Sequence, residues 1–256
     1  MPTLQNQFSV ELFALVAVVF LIAGFIKGVI GVGLPSVSIA LLAATLELKS
    51  AIVILVLPAL FTNIVQGLTG GAFKAIIKRI WVYLFASSVF TWIGSAILAS
   101  NNSPILSSLL GALLGIYALV SLTKSKVNLP ERWEPTATPF IGSIAGIFSG
   151  LTGSFVVPGV MYLQALNFSR DQFIQAMGIS FTIASASLGV AVTGHGLMTP
   201  NEFYLSTFAL LPAFMGMFIG VLVRKKLNDK IFRRVFFISL LFMGFYIIVR
   251  TYANYS

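Results

Sequence analysis

Long apolar stretches, separated by short polar or charged segments, run through the whole 256-residue chain. Uncharged sequence covers residues 50–73, 80–123, 135–169 and 203–223. Because about 20 apolar residues cross a bilayer as one helix, stretches of this length predict membrane-spanning helices. Boundaries at charges, glycine–proline clusters and polar turns divide the chain into eight hydrophobic units, near 10–46, 50–69, 80–100, 104–122, 139–167, 172–194, 203–223 and 234–252.

The composition agrees with a polytopic all-α membrane protein. Hydrophobic residues make up 58% of the chain and charged residues only 9%, against about 25% charged in soluble domains. The absence of cysteine excludes disulfides, thiolate chemistry and cysteine-bound metals, and no cofactor is predicted. The net charge of +9 does not indicate nucleic-acid binding, because the basic residues lie almost wholly in short segments between apolar units.

The first and fifth units differ from the others because glycine and proline interrupt each of them. The interruptions read GVIGVGLP at 28–35 and GLTGSFVVP at 150–158. The segments that follow, 35–46 and 158–167, have 12 and 10 residues. As helices they would be roughly 15–18 Å long, about half of a ~30 Å hydrocarbon core. These two units are therefore predicted to be helical hairpins that turn near the membrane midplane.

The same interruptions reveal an internal repeat. Ala23, Gly24, Gly28 and Gly31 recur 122 positions later as Ala145, Gly146, Gly150 and Gly153. A proline follows in both copies, and the pair Phe61-Thr62 recurs as Phe181-Thr182. The sequence therefore predicts two homologous membrane halves, residues 1–123 and 139–256, joined by a cytoplasmic linker at 124–138.

Positive charge predicts the topology. The segments richest in lysine and arginine, 71–80, 121–138 and 224–234, should be cytoplasmic. Three hydrophobic units lie between the basic segments 121–138 and 224–234. If each unit crossed the membrane once, the segment 224–234 would lie outside, against its positive charge. A hairpin in unit five, which enters and leaves on the same side, keeps both segments cytoplasmic. Each half then makes a hairpin and three crossings, so the halves are inverted and both termini are extracytoplasmic. Two parallel halves with straight first spans are the alternative.

The turns of the hairpins are the candidate site. Proline favours the first position of a helix, so each return arm should start at its proline with free N–H groups aimed at the turn. In an inverted repeat, two helix N-termini would face one central space and could bind an anion. The alternative is that these glycines only pack helices together. The candidate substrate-binding residues are Lys27, Gly31, Gly33, Pro35, Asn63, Gln66, Thr152, Gly153, Ser154 and Pro158.

Lys27 is the one basic residue deep in an apolar run. It could pair with an anionic substrate, or its side chain could snorkel to the cytoplasmic surface. The seven acidic residues all lie near predicted span ends or in loops, so the interior favours anions over cations and no metal site is predicted. His195 is the only histidine, and the chain has no HExxH, GxSxG or Walker-type motif, so an enzyme is not expected.

The glycine-rich turn followed by proline near the start of each half resembles the TauE/SafE family of membrane permeases, the sulfite exporter and toluene sulfonate uptake family. The family pattern resembles G-x-x-G-x-G-G-G with a proline several residues later. Here Leu34-Pro35 comes early, and Ser154-Phe155 replace glycines in the second half. The resemblance implies transport of sulfite, thiosulfate or sulfonates such as sulfoacetate across the prokaryotic cytoplasmic membrane.

The sequence therefore predicts a secondary transporter of small anions that works by alternating access. Its partners would be the anionic substrate, the lipid bilayer and a coupling ion, either H⁺ or Na⁺. A passive anion channel and an accessory or structural membrane subunit are the alternatives.

Overall fold

The computed structural model describes residues 9–101, 104–123, 129–224, 226 and 229–253, without the side chains of residues 229, 230 and 233. These residues form ten α-helices: α1 (Val10–Ile30), α2 (Leu34–Ala43), α3 (Leu48–Leu68), α4 (Phe73–Ser100), α5 (Ile105–Thr123), α6 (Glu134–Thr152), α7 (Gly159–Ala165), α8 (Arg170–Gly194), α9 (Pro200–Arg224) and α10 (Asp229–Ala253). A 3₁₀ turn at Glu131–Trp133 precedes α6.

Seven helices among the described residues are long and apolar enough to cross a membrane: α1, α3, α4, α5, α8, α9 and the Arg234–Ala253 part of α10. This confirms a polytopic all-α membrane protein. Some predicted boundaries are wrong, because α4 begins at Phe73 and α6 at Glu134. The start of α4 contains Lys74, Lys78 and Arg79, and such residues are good helix formers whose long stems can reach the interface. The start of α6 contains Glu134 and a proline, which favour the first turn of a helix.

Unit one is broken as predicted. Gly31 and Gly33, between α1 and α2, have φ values of +85° and +113°, in the left-handed region. The end of α1, at Ile30, shares a cavity wall with Phe232 near the start of α10. From there α2 runs alongside α10, because Arg250, near the end of α10, donates to the backbone oxygen of Ala43 at 3.0 Å. The chain thus reverses at Gly31–Gly33 and forms a hairpin.

Unit five is broken in the same way. Gly153, which ends α6, has φ of +67°. The hydroxyl groups of Tyr162 in α7 and Thr138 near the start of α6 are 2.8 Å apart. Leu129, which precedes α6, donates its N–H to the backbone oxygen of Ala165 at 3.2 Å. Helix α7 therefore returns toward the start of α6, which confirms the second hairpin.

The return arms are shorter than predicted, with 10 residues in α2 and 7 in α7. Pro35 is the second residue of α2, and Pro158 is the N-cap of α7. The prediction that each proline is the first residue of its arm is therefore wrong by one position in each case.

The two halves exchange helices. Helix α1 of the first half packs parallel to α9 of the second, with Gly24 against Ala213 and Gly28 against Met217. Helix α6 of the second half packs parallel to α4 of the first, where Gly146 and Gly150 lie against Ser87 and Thr91. Glycine lets these backbones approach closely, as is common between membrane helices.

Equivalent helices of the two halves run in opposite directions. Helix α3 crosses its counterpart α8 with Gly67 against Gly178 and Val56 against Gly189, so the two are antiparallel. Helices α5 and α10 are antiparallel too, with Gly111 against Gly244 and Gly115 against Leu241. The halves are therefore inverted, as predicted, and the alternative of parallel halves is wrong.

Charged side chains gather at two ends of the bundle. Arg170 and Arg224 line one cavity, and Arg79 lies near them, over the ring of Phe168; this is the predicted cytoplasmic end. Lys49 and Arg250 line another cavity at the predicted outer end, where α1 begins and α10 ends. The grouping agrees with the topology prediction, while the orientation in the membrane stays a prediction. Lys124, Lys126 and Lys225, which also entered that prediction, lie outside the described residues.

Candidate functional site

The first turn is open and bounded by glycine. Helix α1 ends when Gly31 adopts a left-handed conformation and donates its N–H to the oxygen of Lys27 at 2.7 Å. A methyl group added at Gly31 would meet no heavy atom within 4 Å. Gly33, the N-cap of α2, is also left-handed, and Pro35 follows in the first turn of α2. Local sequence thus breaks the helix one turn after Lys27.

Lys27 lies inside the protein, where its side chain is 3% exposed. Its Nζ donates to Thr62 Oγ1 at 3.1 Å and to Asn63 Oδ1, both on α3. Thr62 itself donates to the oxygen of Pro58 at 2.6 Å, so its hydroxyl accepts from the ammonium group. The alternative in which Lys27 snorkels to the cytoplasmic surface is wrong.

Asn63 carries an unused donor. Its Oδ1 accepts from Lys27, while its Nδ2 is buried without a hydrogen-bond partner. Buried polar groups are normally paired, so an orphaned amide beside a buried cation indicates a place for an acceptor. Ser36 Oγ, in the first turn of α2, is likewise buried and unpartnered. Sequence analysis missed Ser36, although a hydroxyl next to the proline of a break is a usable signal.

No carboxylate neutralises Lys27 among the described residues, since both of its partners are neutral oxygens. Every acidic residue lies in the first turn of a helix or just before one: Glu11, Glu47, Glu131, Glu134, Asp171, Glu202 and Asp229. Negative charge is favourable there because of the helix dipole. The described residues contain no cluster of three histidine or acidic side chains that could hold a metal.

The second turn is closed and uncharged. The residues from Gly153 to Val157 are buried. Thr152 Oγ1 donates to the oxygen of Phe148 at 2.7 Å and accepts from the N–H of Ser154 at 3.2 Å, so its hydroxyl stabilises the turn. The hydroxyl groups of Ser154 and Ser149 are buried without partners, and Ser149 is the repeat counterpart of Lys27.

The two turns do not meet head-on, so that expectation was wrong. A methyl group at Gly153 would lie 2.7 Å from Ile39 Cδ1, midway along α2, and 3.1 Å from Ile52 on α3. Ile52 is eleven residues from Asn63, which places the second turn about 16 Å from the Lys27 contact along α3. The hairpins overlap instead, because α1 is 21 residues long and its last residue, Ile30, lines the cavity at the end of the bundle where Arg170 and Arg224 lie. The prediction that the first turn lies near the midplane is therefore wrong.

Gln66 is used in helix packing. Its Nε2 donates to the oxygen of Ile174 at 2.9 Å, and Gln175 donates back to the oxygen of Gly67 at 3.0 Å. Gln175 Oε1 also accepts from the N–H of Ala72 at 2.9 Å. These reciprocal bonds hold α3 to α8. Of the predicted site residues, the structure thus brings Lys27 and Asn63 together near Gly31, Gly33 and Pro35, and it places Thr152, Gly153, Ser154 and Pro158 at a separate turn.

An inverted repeat of membrane helices, with a broken hairpin at the start of each half and a buried cation beside one break, is the architecture of a membrane transporter. A sequence model described as Sulfite exporter TauE/SafE matches residues 16–247, nearly the whole chain. The chain belongs to this family of multi-pass membrane transporters of sulfur-containing anions. Comparisons with curated proteins and with solved structures give no match.

Proposed function

We propose that this protein is a secondary transporter of a small sulfur oxyanion or organosulfonate, such as sulfite, thiosulfate or sulfoacetate. The observation that carries the proposal is the Lys27 ammonium group, which is 3% exposed and bonded to two neutral oxygens. Removing an ammonium ion from water costs several kcal/mol unless an opposite charge accompanies it. A bound anion would supply that charge, and family membership supports the substrate class.

The groups around Lys27 suit an oxyanion with several acceptor oxygens. Lys27 supplies the charge, and the unpartnered Nδ2 of Asn63 supplies a neutral donor beside it. The ten-residue helix α2 starts at the same turn, and its N-terminus carries positive potential and has no side-chain cap. Open space at Gly31 would let the ligand approach the backbone closely.

Transport would require the first hairpin to move. Lys27, Thr62 and Asn63 are all buried, so a substrate could reach them only after the helices around them separate. This burial supports a carrier rather than a passive channel, because a channel needs a continuous path. Displacement of α1 and α2 against α3 would then expose Lys27 to one face at a time, which is alternating access.

The most direct test places a carboxylate next to Lys27. In Asn63→Asp, the new charge would pair with the ammonium group and compete with the substrate. We expect uptake of labelled sulfite and sulfoacetate by purified protein in liposomes to fall at least tenfold, while the melting temperature stays level or rises. Asn167→Asp, the same substitution at an exposed position, is the matched control and should behave as wild type.

Two results would contradict the proposal. Normal uptake by Asn63→Asp would remove Lys27 and Asn63 from the site. Failure of the purified wild type to move either anion would overturn the transport function and favour an accessory subunit. In the same assay, the imposed gradient, H⁺ or Na⁺, that accelerates uptake identifies the coupling ion.

A further inference from the structure

Two cavities open at opposite ends of the bundle. The outer cavity, of about 330 Å³, lies between the α2–α3 loop, the end of α4, the start of α5 and the end of α10. The cytoplasmic cavity, of about 80 Å³, lies between the end of α1, the start of α8, the end of α9 and the start of α10. Each is named here for the predicted end of the bundle at which it opens.

Two cationic side chains line each cavity. Lys49 and Arg250 line the outer cavity together with Glu47, and Arg170 and Arg224 line the cytoplasmic cavity. Lys49 and Arg170 lie 121 positions apart, in the first turns of the equivalent helices α3 and α8. This spacing lies between the two spacings of the internal repeat, 122 for the glycines and 120 for the Phe-Thr pairs, so the inverted symmetry places one cation in the first turn of each of these helices.

The cations of the outer cavity are held in place by backbone. Lys49 Nζ donates to the oxygen of Ala99 at 3.1 Å, and Arg250 Nη1 donates to the oxygen of Ala43 at 3.0 Å. These oxygens belong to the ends of α4 and α2, where the helix dipole favours positive charge. A guanidinium group has five N–H donors, so Arg250 can hold Ala43 and still bind an anion in the cavity that it lines.

Both cavities adjoin the hairpin that bears Lys27. Val29 and Ile30, two and three residues after Lys27, line the cytoplasmic cavity. Ala43, at the far end of the same hairpin, lines the outer cavity. A movement of α1 and α2 would therefore change both cavities together.

From this geometry we propose that the two cavities are the two mouths of one anion pathway. Lys49 and Arg250 collect the anion at the outer face, and Arg170 and Arg224 collect it at the cytoplasmic face. Clefts lined by positive charge raise the local concentration of anions, and salt weakens the effect. The inference rests on the proposed transport function. It adds that each face has its own recognition residues.

The test compares the two faces of the membrane. Uptake of labelled sulfite and sulfoacetate is measured in right-side-out and inside-out vesicles carrying the full chain. We expect Lys49→Gln/Arg250→Gln to raise the half-saturating concentration about three- to tenfold from the outer face only. Arg170→Gln/Arg224→Gln should do the same from the cytoplasmic face only, and both effects should shrink as salt rises.

Controls separate recognition from folding and from net charge. Lys49→Arg/Arg250→Lys keeps both charges and should raise the half-saturating concentration at the outer face less than the glutamine pair does. Lys74→Gln/Lys78→Gln removes two exposed charges from the start of α4, outside the cavity walls, and should change neither face.

The outcomes distinguish the two proposals. One outcome is that wild type transports the anions but each double variant is unaltered, or is altered equally from both faces. The assignment of the cavities as mouths is then wrong, while the proposed transport function is unaffected. If wild type moves neither anion from either face, the proposed transport function is wrong, and so is the assignment of the cavities as mouths.

Discussion

The first and second turns use one backbone device in different surroundings. Both end a helix with a left-handed glycine, Gly31 or Gly153. The first turn has open space at its glycine and Lys27 one turn before it. The second has Ile39 against its glycine and a neutral serine, Ser149, at the position equivalent to Lys27. An inverted repeat therefore fixes the frame, while a single side chain decides which half carries the charge.

The comparison also separates packing from recognition. The glycines that bring α1 to α9 and α6 to α4 occur in both halves, and their role needs no ligand. The buried cation occurs in one half, and its hydrogen bonds do not explain why the charge is there. Substitutions at equivalent positions test this difference directly.

The largest difference in anion uptake is expected between the variants Lys27→Met and Ser149→Met. A hydrogen bond to a charged group contributes about 1.5–3 kcal/mol, so loss of the ammonium group should lower anion uptake in liposomes by about 10- to 100-fold. Ser149→Met should lower it less than threefold. The melting temperature of Lys27→Met should stay level or rise, because a buried charge is replaced by an apolar chain. Normal uptake by Lys27→Met would refute the asymmetry.

Gly28→Val and Gly150→Val should destabilise the protein to a similar extent. At these sites a Cβ would lie 2.2 Å from the oxygen of Met217 and 2.4 Å from the oxygen of Thr91, so the helices must separate. We expect a loss of about 3 kcal/mol or more in each, measured by chemical unfolding in detergent. Gly115→Ala, whose nearest neighbour is 3.9 Å away, is the control and should be neutral or stabilising. Tolerance of either valine would show that the close helix contact is dispensable.

Gly153→Ala should lower the stability of the protein more than Gly31→Ala does. Both substitutions force a left-handed φ on an L-residue, which costs about 1–2 kcal/mol. Only at Gly153 does the new methyl group also clash, with Ile39 Cδ1 at 2.7 Å. The melting temperature should therefore fall further for Gly153→Ala. An equal fall would show that the two turns are packed alike.

The smallest effect is expected for the threonines of the repeat. Thr62 accepts a hydrogen bond from Lys27, whereas Thr182 donates only to the oxygen of Gly178, at 2.7 Å. Thr62→Val should lower uptake about three- to tenfold, or roughly 0.5–1.5 kcal/mol, because the ammonium group stays in place and keeps its bond to Asn63. Thr182→Val should stay within twofold of wild type. The reverse order would place the substrate in the second half.

Much of the fold could be predicted because its signals are local. Apolar length predicts spans, and glycine with proline breaks a helix wherever the sequence puts them. The positive charge of the loops and the number of units between them could agree only if unit five is a hairpin. The internal repeat then predicted a second hairpin in unit one. The depth of the turns could not be predicted in this way. It depends on how far α1 runs before Gly31, and the 21-residue helix carries the turn beyond the midplane depth that the lengths of the return arms suggested.

For the candidate site, sequence could predict which residues are unusual but not which of them meet. Lys27 and Asn63 stood out because both are costly to bury, yet only the crossing of α1 with α3 brings an ammonium group to an amide 36 positions away. Gln66 stood out for the same reason, and the crossing of α3 with α8 uses it in packing.

The sequence alone determined the class of protein, the two inverted halves and the two breaks, because hydropathy, charge bias and backbone preference act over a few residues or add up along the chain. Only the tertiary structure decided that Lys27 is enclosed, that its partners are neutral and that the two turns lie apart. Those facts depend on distances between helices that are far apart in the sequence, and packing of the whole bundle sets these distances.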